Sequence, residues 1–132
     1  MSQHKTDILI IGLGLAGITA AITAAKSGKK ITILTKTKNT SSGSTPWAQG
    51  GIVYKGLKDS PKKLKKDILS AGAGHCWNEA VEHLCKHGPG LVEEILINTL
   101  KIPFNARGSE LERVTEGAHS TPRVLYHADK QE

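Results

Sequence analysis

Three short stretches hold residue types able to do chemistry. Gly12-Leu13-Gly14-Leu15-Ala16-Gly17 has the spacing G-x-G-x-x-G, which brings bare backbone and amide N–H groups up to a phosphate. Ser44-Thr45-Pro46-Trp47-Ala48-Gln49-Gly50-Gly51 sets hydroxyls and a primary amide beside an indole and two glycines. Glycines there let the backbone approach a flat ring or a phosphate. Thr115-Glu116-Gly117-Ala118-His119-Ser120 places a carboxylate and an imidazole in a small-residue turn, where Glu116 can make a charge-assisted hydrogen bond to a cation.

The flanking sequence says how the first two stretches are positioned. Ile8-Leu9-Ile10-Ile11 is a short β-branched run, as in a strand buried on both faces. Ile18, Ala21, Ile22 and Ala25 then recur at helical spacing, Gly28 marks a left-handed stop, and Ile31-Thr32-Ile33-Leu34 is a second strand. Residues 6–36 thus form a βαβ unit. Gly12 permits the tight turn, Gly14 the approach of a pyrophosphate, and Gly17 the packing of helix on strand. The helix N-terminus adds free N–H groups and partial positive charge. A strand–helix turn that binds nothing can carry the same glycines, but the surrounding βαβ context favours the dinucleotide reading. One element departs from that fingerprint: the second strand ends in Thr35-Lys36 and not in the acid that holds a ribose. Thr35 can hydrogen-bond a ribose hydroxyl, whereas Lys36 would suit the 2′-phosphate of NADP. The residues specify a dinucleotide without choosing among them. The loop 37–53 leaves the carboxyl end of the second strand, where ligands of open α/β sheets lie.

Other candidates carry less. His83 and His87 lie four apart, but Ala80, Val81, Leu84 and Cys85 make the apolar face, leaving the histidines on the opposite side without a general base or a third ligand. His119 suits either a substrate contact or a loop-capping role, and Cys76 has no basic neighbour to activate it. Ser60-Pro61 begins a helix, residues 54–66 read as a lysine-rich surface connection, and Pro89 suits the first position of another helix within a helical segment spanning about 61–100.

At 132 residues, 38% hydrophobic and 23% charged, the chain fits one soluble domain. Its net charge of +6 comes largely from lysines without interleaved aromatics, so a solvated face is expected and no nucleic-acid partner. The 2 cysteines suit a reducing compartment. No signal peptide is expected at MSQHKTDILIIG, and no run approaches the ~18 apolar residues of a membrane span. No membrane association and no metal are expected, and the location is expected to be cytoplasmic.

Taken together, Gly12 to Gly17, Thr35-Lys36 and Ser44 to Gly51 resemble the succinate dehydrogenase/fumarate reductase flavoprotein family. The resemblance implies FAD as the dinucleotide, with a hydroxyl followed by Lys replacing the ribose acid. Gly12 to Gly17 would hold the pyrophosphate, Lys36 the adenosine side and Ser44 to Gly51 the flavin. Respiratory members attach the flavin covalently to a loop histidine, and Ser44 at that position implies non-covalent FAD. Asp67 to Cys76 and Thr115 to Ser120, continued by Arg123-Val124-Leu125-Tyr126-His127-Ala128-Asp129, resemble segments of the branch that oxidises L-aspartate to iminoaspartate. Ala118 stands where a glycine is usual. Glu116, where the respiratory relatives carry phenylalanine, would orient the substrate through its ammonium.

The resemblance further implies O2 or fumarate as electron acceptor, with iminoaspartate passed to quinolinate synthase in NAD biosynthesis. The fold class is then α/β, a Rossmann-like FAD-binding βαβ domain. Residues 1–132 are its N-terminal part only, with an incomplete sheet, no capping domain and a substrate-site loop at 108–130. The family's acid/base Arg and its carboxylate-gripping His and Arg residues would lie beyond residue 132, so the 132 residues alone are expected to bind FAD weakly, if at all, and to turn over no aspartate. Two other readings are a non-catalytic dinucleotide-binding module and part of a succinate or fumarate flavoprotein.

Overall fold

The structure, a computed structural model, describes residues 4–38, 43–48 and 50–127, and its chain forms two compact units, 1–49 and 50–132. In the first unit, β1 (Ile8–Ile11), α1 (Leu15–Ala25) and β2 (Ile31–Leu34) follow one another as expected. The strands run parallel, with Ile8 opposite Ile31 and Ile11 opposite Leu34. Thr6 Oγ1 and the Ile8 and Asp7 amides converge on the Lys30 carbonyl, while Asp7 Oδ2 accepts the Lys30 N–H at 2.8 Å, fixing where β2 begins. Gly28 has φ +70°, which ends α1 as its sequence indicates. The expectation of a strand buried on both faces needs correction: Leu9 is 53% and Ile11 79% exposed. Within this unit α1 covers one face of the pair, and no described element covers the other.

The second unit is mostly helical with short antiparallel ladders. α2 (Pro61–Ala71) opens on Ser60, whose hydroxyl accepts the Lys63 N–H, with Pro61 in the first turn where it needs no donor. α3 (Asn78–Leu91) packs Val81 and Cys85 against Leu64 of α2, with Val53, Ile68, Leu69 and Cys76 around them. Ala80 and Leu84 are exposed, contrary to the broader apolar face read from the sequence, so only the i, i+4 pair Val81 and Cys85 faces α2. Pro89 does not open a helix; it lies inside α3. The usual clash of a proline ring with the preceding Cβ does not arise, because residue 88 is glycine. The helix continues as a wider π-helical stretch, Val92–Thr99, in which the Leu100 N–H reaches the Ile95 carbonyl at 2.8 Å.

The strands of this unit are two residues each. β3 (Ile52–Val53) pairs with β6 (Val124–Leu125), and β4 (Ala106–Arg107) with β5 (Glu110–Leu111) through a turn at Gly108. Residues 54–66 are more than a surface connection. Tyr54, Leu64 and the Asp59 side chain are buried: Leu64 packs on α3, the Tyr54 N–H donates to the Arg123 carbonyl, and Asp59 pairs with the Arg123 guanidinium. No helix among the described residues is long and apolar enough to cross a membrane.

Candidate functional site

In the first unit the turn between β1 and α1 is built for close approach. Gly12 has φ +111°, a conformation that side chains rarely adopt, and open space where a Cβ would be. A Cβ on Gly17 would strike the Gly12 carbonyl oxygen, so this glycine is what lets α1 pack against the turn. Gly14 is the N-cap and offers no side chain to the first amides, and no acidic residue occupies the first turn with Leu15 and Ala16. The first turn of the helix therefore brings no carboxylate of its own to the positive end. Leu13 lies in the turn between Gly12 and Gly14 and is half-buried.

The loop after β2 comes back to this helix end. Thr45, Pro46 and Trp47 form one 3₁₀ turn preceded by Ser44 and followed by Ala48, and all five are exposed. Thr45 Oγ1 accepts the Leu15 N–H at 3.1 Å and lies where a Cβ on Gly14 would press on it. A hydroxyl from the second predicted stretch thus lies against the first. Thr35 donates its hydroxyl to the Thr37 carbonyl at 2.6 Å, and Lys36 is exposed beyond β2. Gln49 lies outside the described residues, as do 39–42 and the end of the last motif from Ala128.

The second unit brings together two predicted residues far apart in sequence. Gly50 has φ +81°, and a Cβ there would lie 2.8 Å from Glu116 Oε1 and 3.0 Å from Oε2. The exposed carboxylate of Glu116 therefore abuts the bare backbone of Gly50. Gly51 has a structural use, since a Cβ on it would collide with the Leu125 carbonyl. Ala118 is not among the described residues with positive φ, so the methyl in place of glycine is accommodated. Gly72 likewise leaves room for the Cys76 sulfur, which points toward the Ile68 carbonyl at 3.6 Å. The Asp67–Cys76 motif thus closes α2, with the half-buried Cys76 packed into the turn. The His83 and His87 rings lie with centroids 4.6 Å apart and planes tilted by 42°, and no group of three or more metal-ligating side chains occurs among the described residues.

The sequence reading gave no role to a buried ionic cluster beneath the Glu116 turn. Arg123, fully buried, grips Asp59 in two places, Nε to Oδ2 at 2.7 Å and Nη2 to Oδ1 at 2.8 Å. Its Nη1 donates to Asp67 Oδ2 at 2.6 Å and to His119 Nδ1 at 2.9 Å. Asp67 Oδ2 also accepts the Ser120 N–H and hydroxyl. The Ser120 N–H, then Arg123, hold the Asp67 carboxyl well below the ordinary range against the opposing effect of burial, with the Ser120 hydroxyl adding less. Burial pushes Asp59 up, but Arg123 and the Ser60 and Gly56 amides outweigh it and bring it down. The acids raise the Arg123 guanidinium in return, Asp59 foremost. The sequence offered one clue: Asp67 lies three residues after buried Leu64, on the apolar side of α2, where an unpaired carboxylate would be costly. A groove of about 660 Å³, lined by Leu111, Val114, Pro122 and Tyr126 among others, draws on the 108–130 loop but does not include Glu116 or the predicted cofactor residues.

The sequence pattern of the FAD binding domain matches residues 7–132. The chain belongs to the FAD binding domain family. Curated relatives are L-aspartate oxidases: that of Halobacterium salinarum is 40% identical over 92% of this chain, and that of Synechocystis 35% over 98%. This FAD binding domain chain spans 23% of the length of each. Among solved structures, the FrdA chain of Escherichia coli quinol fumarate reductase superposes with a TM-score of 0.87 at 26% identity, covering 98% of this chain and 22% of that one. Mycobacterium smegmatis Sdh1 in its apo form gives 0.86 at 25% identity, with the same coverage of 98% and 22%. FAD is the cofactor of the family, and the first unit fits it. The turn has bare backbone at Gly12 and Gly14 and no carboxylate in the first turn to repel a diphosphate, and the one side chain on its first amides is the neutral Thr45 hydroxyl, which accepts the Leu15 N–H.

Proposed function

We propose that the protein is the FAD-binding portion of an L-aspartate oxidase that converts L-aspartate to iminoaspartate. The observation that carries this reading is the identity of 40% to an L-aspartate oxidase over 92% of the chain. It is supported by the Glu116 carboxylate lying on Gly50. In this reading β1–α1–β2 opens a Rossmann-like sheet, and residues 1–132 serve a single FAD-binding domain. Gly12, Leu13, Gly14, Leu15, Ala16 and Gly17 hold the pyrophosphate; Thr35 and Lys36 face the adenosine side. Ser44, Thr45, Pro46, Trp47, Ala48, Gln49, Gly50 and Gly51 contact the flavin. Ser44 has no imidazole to bond the ring, so FAD is held non-covalently.

When bound, FAD supplies a two-electron acceptor for the hydride equivalent that leaves the substrate α-carbon as an amine proton departs, giving the imine. O2 or fumarate takes the electrons onward. Glu116 accepts a hydrogen bond from the substrate ammonium, a contact succinate cannot make. Iminoaspartate then passes toward quinolinate and NAD, by hand-over to quinolinate synthase, in the cytoplasm. A succinate or fumarate reading draws support from the superpositions at 25–26% identity. Ser44 and Glu116 weigh against it.

Replacing Glu116 tests the reading. A hydrogen bond to a charged group contributes ~1.5–3 kcal/mol. In the flavin-loaded full-length protein, Glu116→Gln should therefore weaken L-aspartate by about tenfold or more and leave succinate unaffected. Equal losses for both ligands would show that Glu116 does not read the ammonium.

A further inference from the structure

The turn that carries Glu116 is fastened from below. The His119 N–H reaches the Glu116 and Gly117 carbonyls at 3.0 and 2.6 Å, closing the turn on itself. Ser120, at its far end, gives both its donors to Asp67. Arg123 Nη1 holds Asp67 and His119 together. A guanidinium keeps its protons, so Nη1 is the donor and His119 Nδ1 the acceptor; the proton of the neutral ring then sits on Nε2. The planar fork of Arg123 is itself fixed by two bonds to Asp59.

We infer that Arg123 is a positioning residue for Glu116: by locking His119 as its Nε2–H tautomer and pinning Ser120 through Asp67, it holds the Glu116 carboxylate over Gly50. What that carboxylate is held for, a substrate ammonium, rests on the function proposed above; the positioning itself does not.

Imidazole and amide ¹⁵N spectra of the protein test it without substrate or flavin. Gly50, whose backbone the Glu116 carboxylate abuts, reports where that carboxylate sits. The neutral His119 ring should show the single pattern of a protonated Nε2 and an accepting Nδ1. Arg123→Lys, whose compact ammonium cannot serve Asp59, Asp67 and His119 in one plane, should lose that pattern and shift the Gly50 and Gly117 amides. If Arg123→Lys does not fold, a second pair of variants decides. His119→Gln, whose Oε1 can accept the same N–H, should keep the Gly50 resonance, and His119→Leu, which cannot, should move it. A protonated Nδ1 or an averaged ring in the wild type overturns the inference, as does a Gly50 amide unmoved in folded Arg123→Lys or His119→Leu. Failure of the aspartate reading would instead appear in the Glu116→Gln comparison and leave these resonances as they are.

Discussion

At the scale of single residues, the glycines of the first turn have different jobs, and substitution should separate them. A Cβ on Gly17 would meet the Gly12 carbonyl oxygen, which is backbone and cannot swing aside. Gly17→Ala should cost about 1–3 kcal/mol, the usual penalty of overpacking, read as a lower urea midpoint. At Gly14 a Cβ would press only on the Thr45 hydroxyl, at 3.2 Å, a neighbour able to rotate. Rotating it gives up the Leu15 N–H bond, so Gly14→Ala should cost less stability than Gly17→Ala and act on the nucleotide as well. The turn at Gly12 and the close packing at Gly17 were legible from the G-x-G-x-x-G spacing alone, because the turn is local. Glu116 was legible as chemistry but not in its placement. Its contact with Gly50 joins residues far apart in sequence, and no periodicity encodes that. Arg123 was visible only as a letter in a motif. Its burial against Asp59 and Asp67 depends on three segments meeting.

At the scale of elements, boundaries set by local chemistry were readable and those set by packing were not. Ser60-Pro61 predicts the start of α2, and the Ser60 hydroxyl does accept the Lys63 N–H at 3.2 Å. Ser60→Ala should destabilise the second unit by ~1 kcal/mol, as for other N-cap losses, with the Lys63 amide exchanging faster with solvent. Gly28 ended α1 as expected. Pro89 misled, since proline usually marks a helix start, and here a preceding glycine lets the helix run through it. The ladder between β3 and β6 could not be foreseen: two-residue strands carry no alternation to detect. Nor could the open face of β1, because four apolar residues in a row read alike whether one face or both are covered.

At the scale of the whole molecule, the ionic cluster ties α2, the stretch before it, the Glu116 turn and β6 into one unit. It should also give that unit a pH signature. Asp59 and Asp67 both titrate below the ordinary 3.8 in the folded state, so the native form binds fewer protons than the unfolded chain in acid. Their stabilisation is fully present above that value and is lost as pH falls through the folded values. Urea midpoints followed by tryptophan fluorescence should hold steady from neutral pH to about pH 4 and then decline. Asp59→Asn should start from a lower midpoint and decline less steeply. The central claim is that FAD lies with its diphosphate on the turn between β1 and α1. Its most direct measurement is a titration of the ¹⁵N-labelled full-length apoprotein with FAD, observed at each backbone amide, with ADP as a second ligand. The largest saturable shifts are predicted at Gly12 to Ala16, reproduced by ADP and reduced in Gly14→Ala. Amides of that turn left unmoved by both ligands would contradict the account.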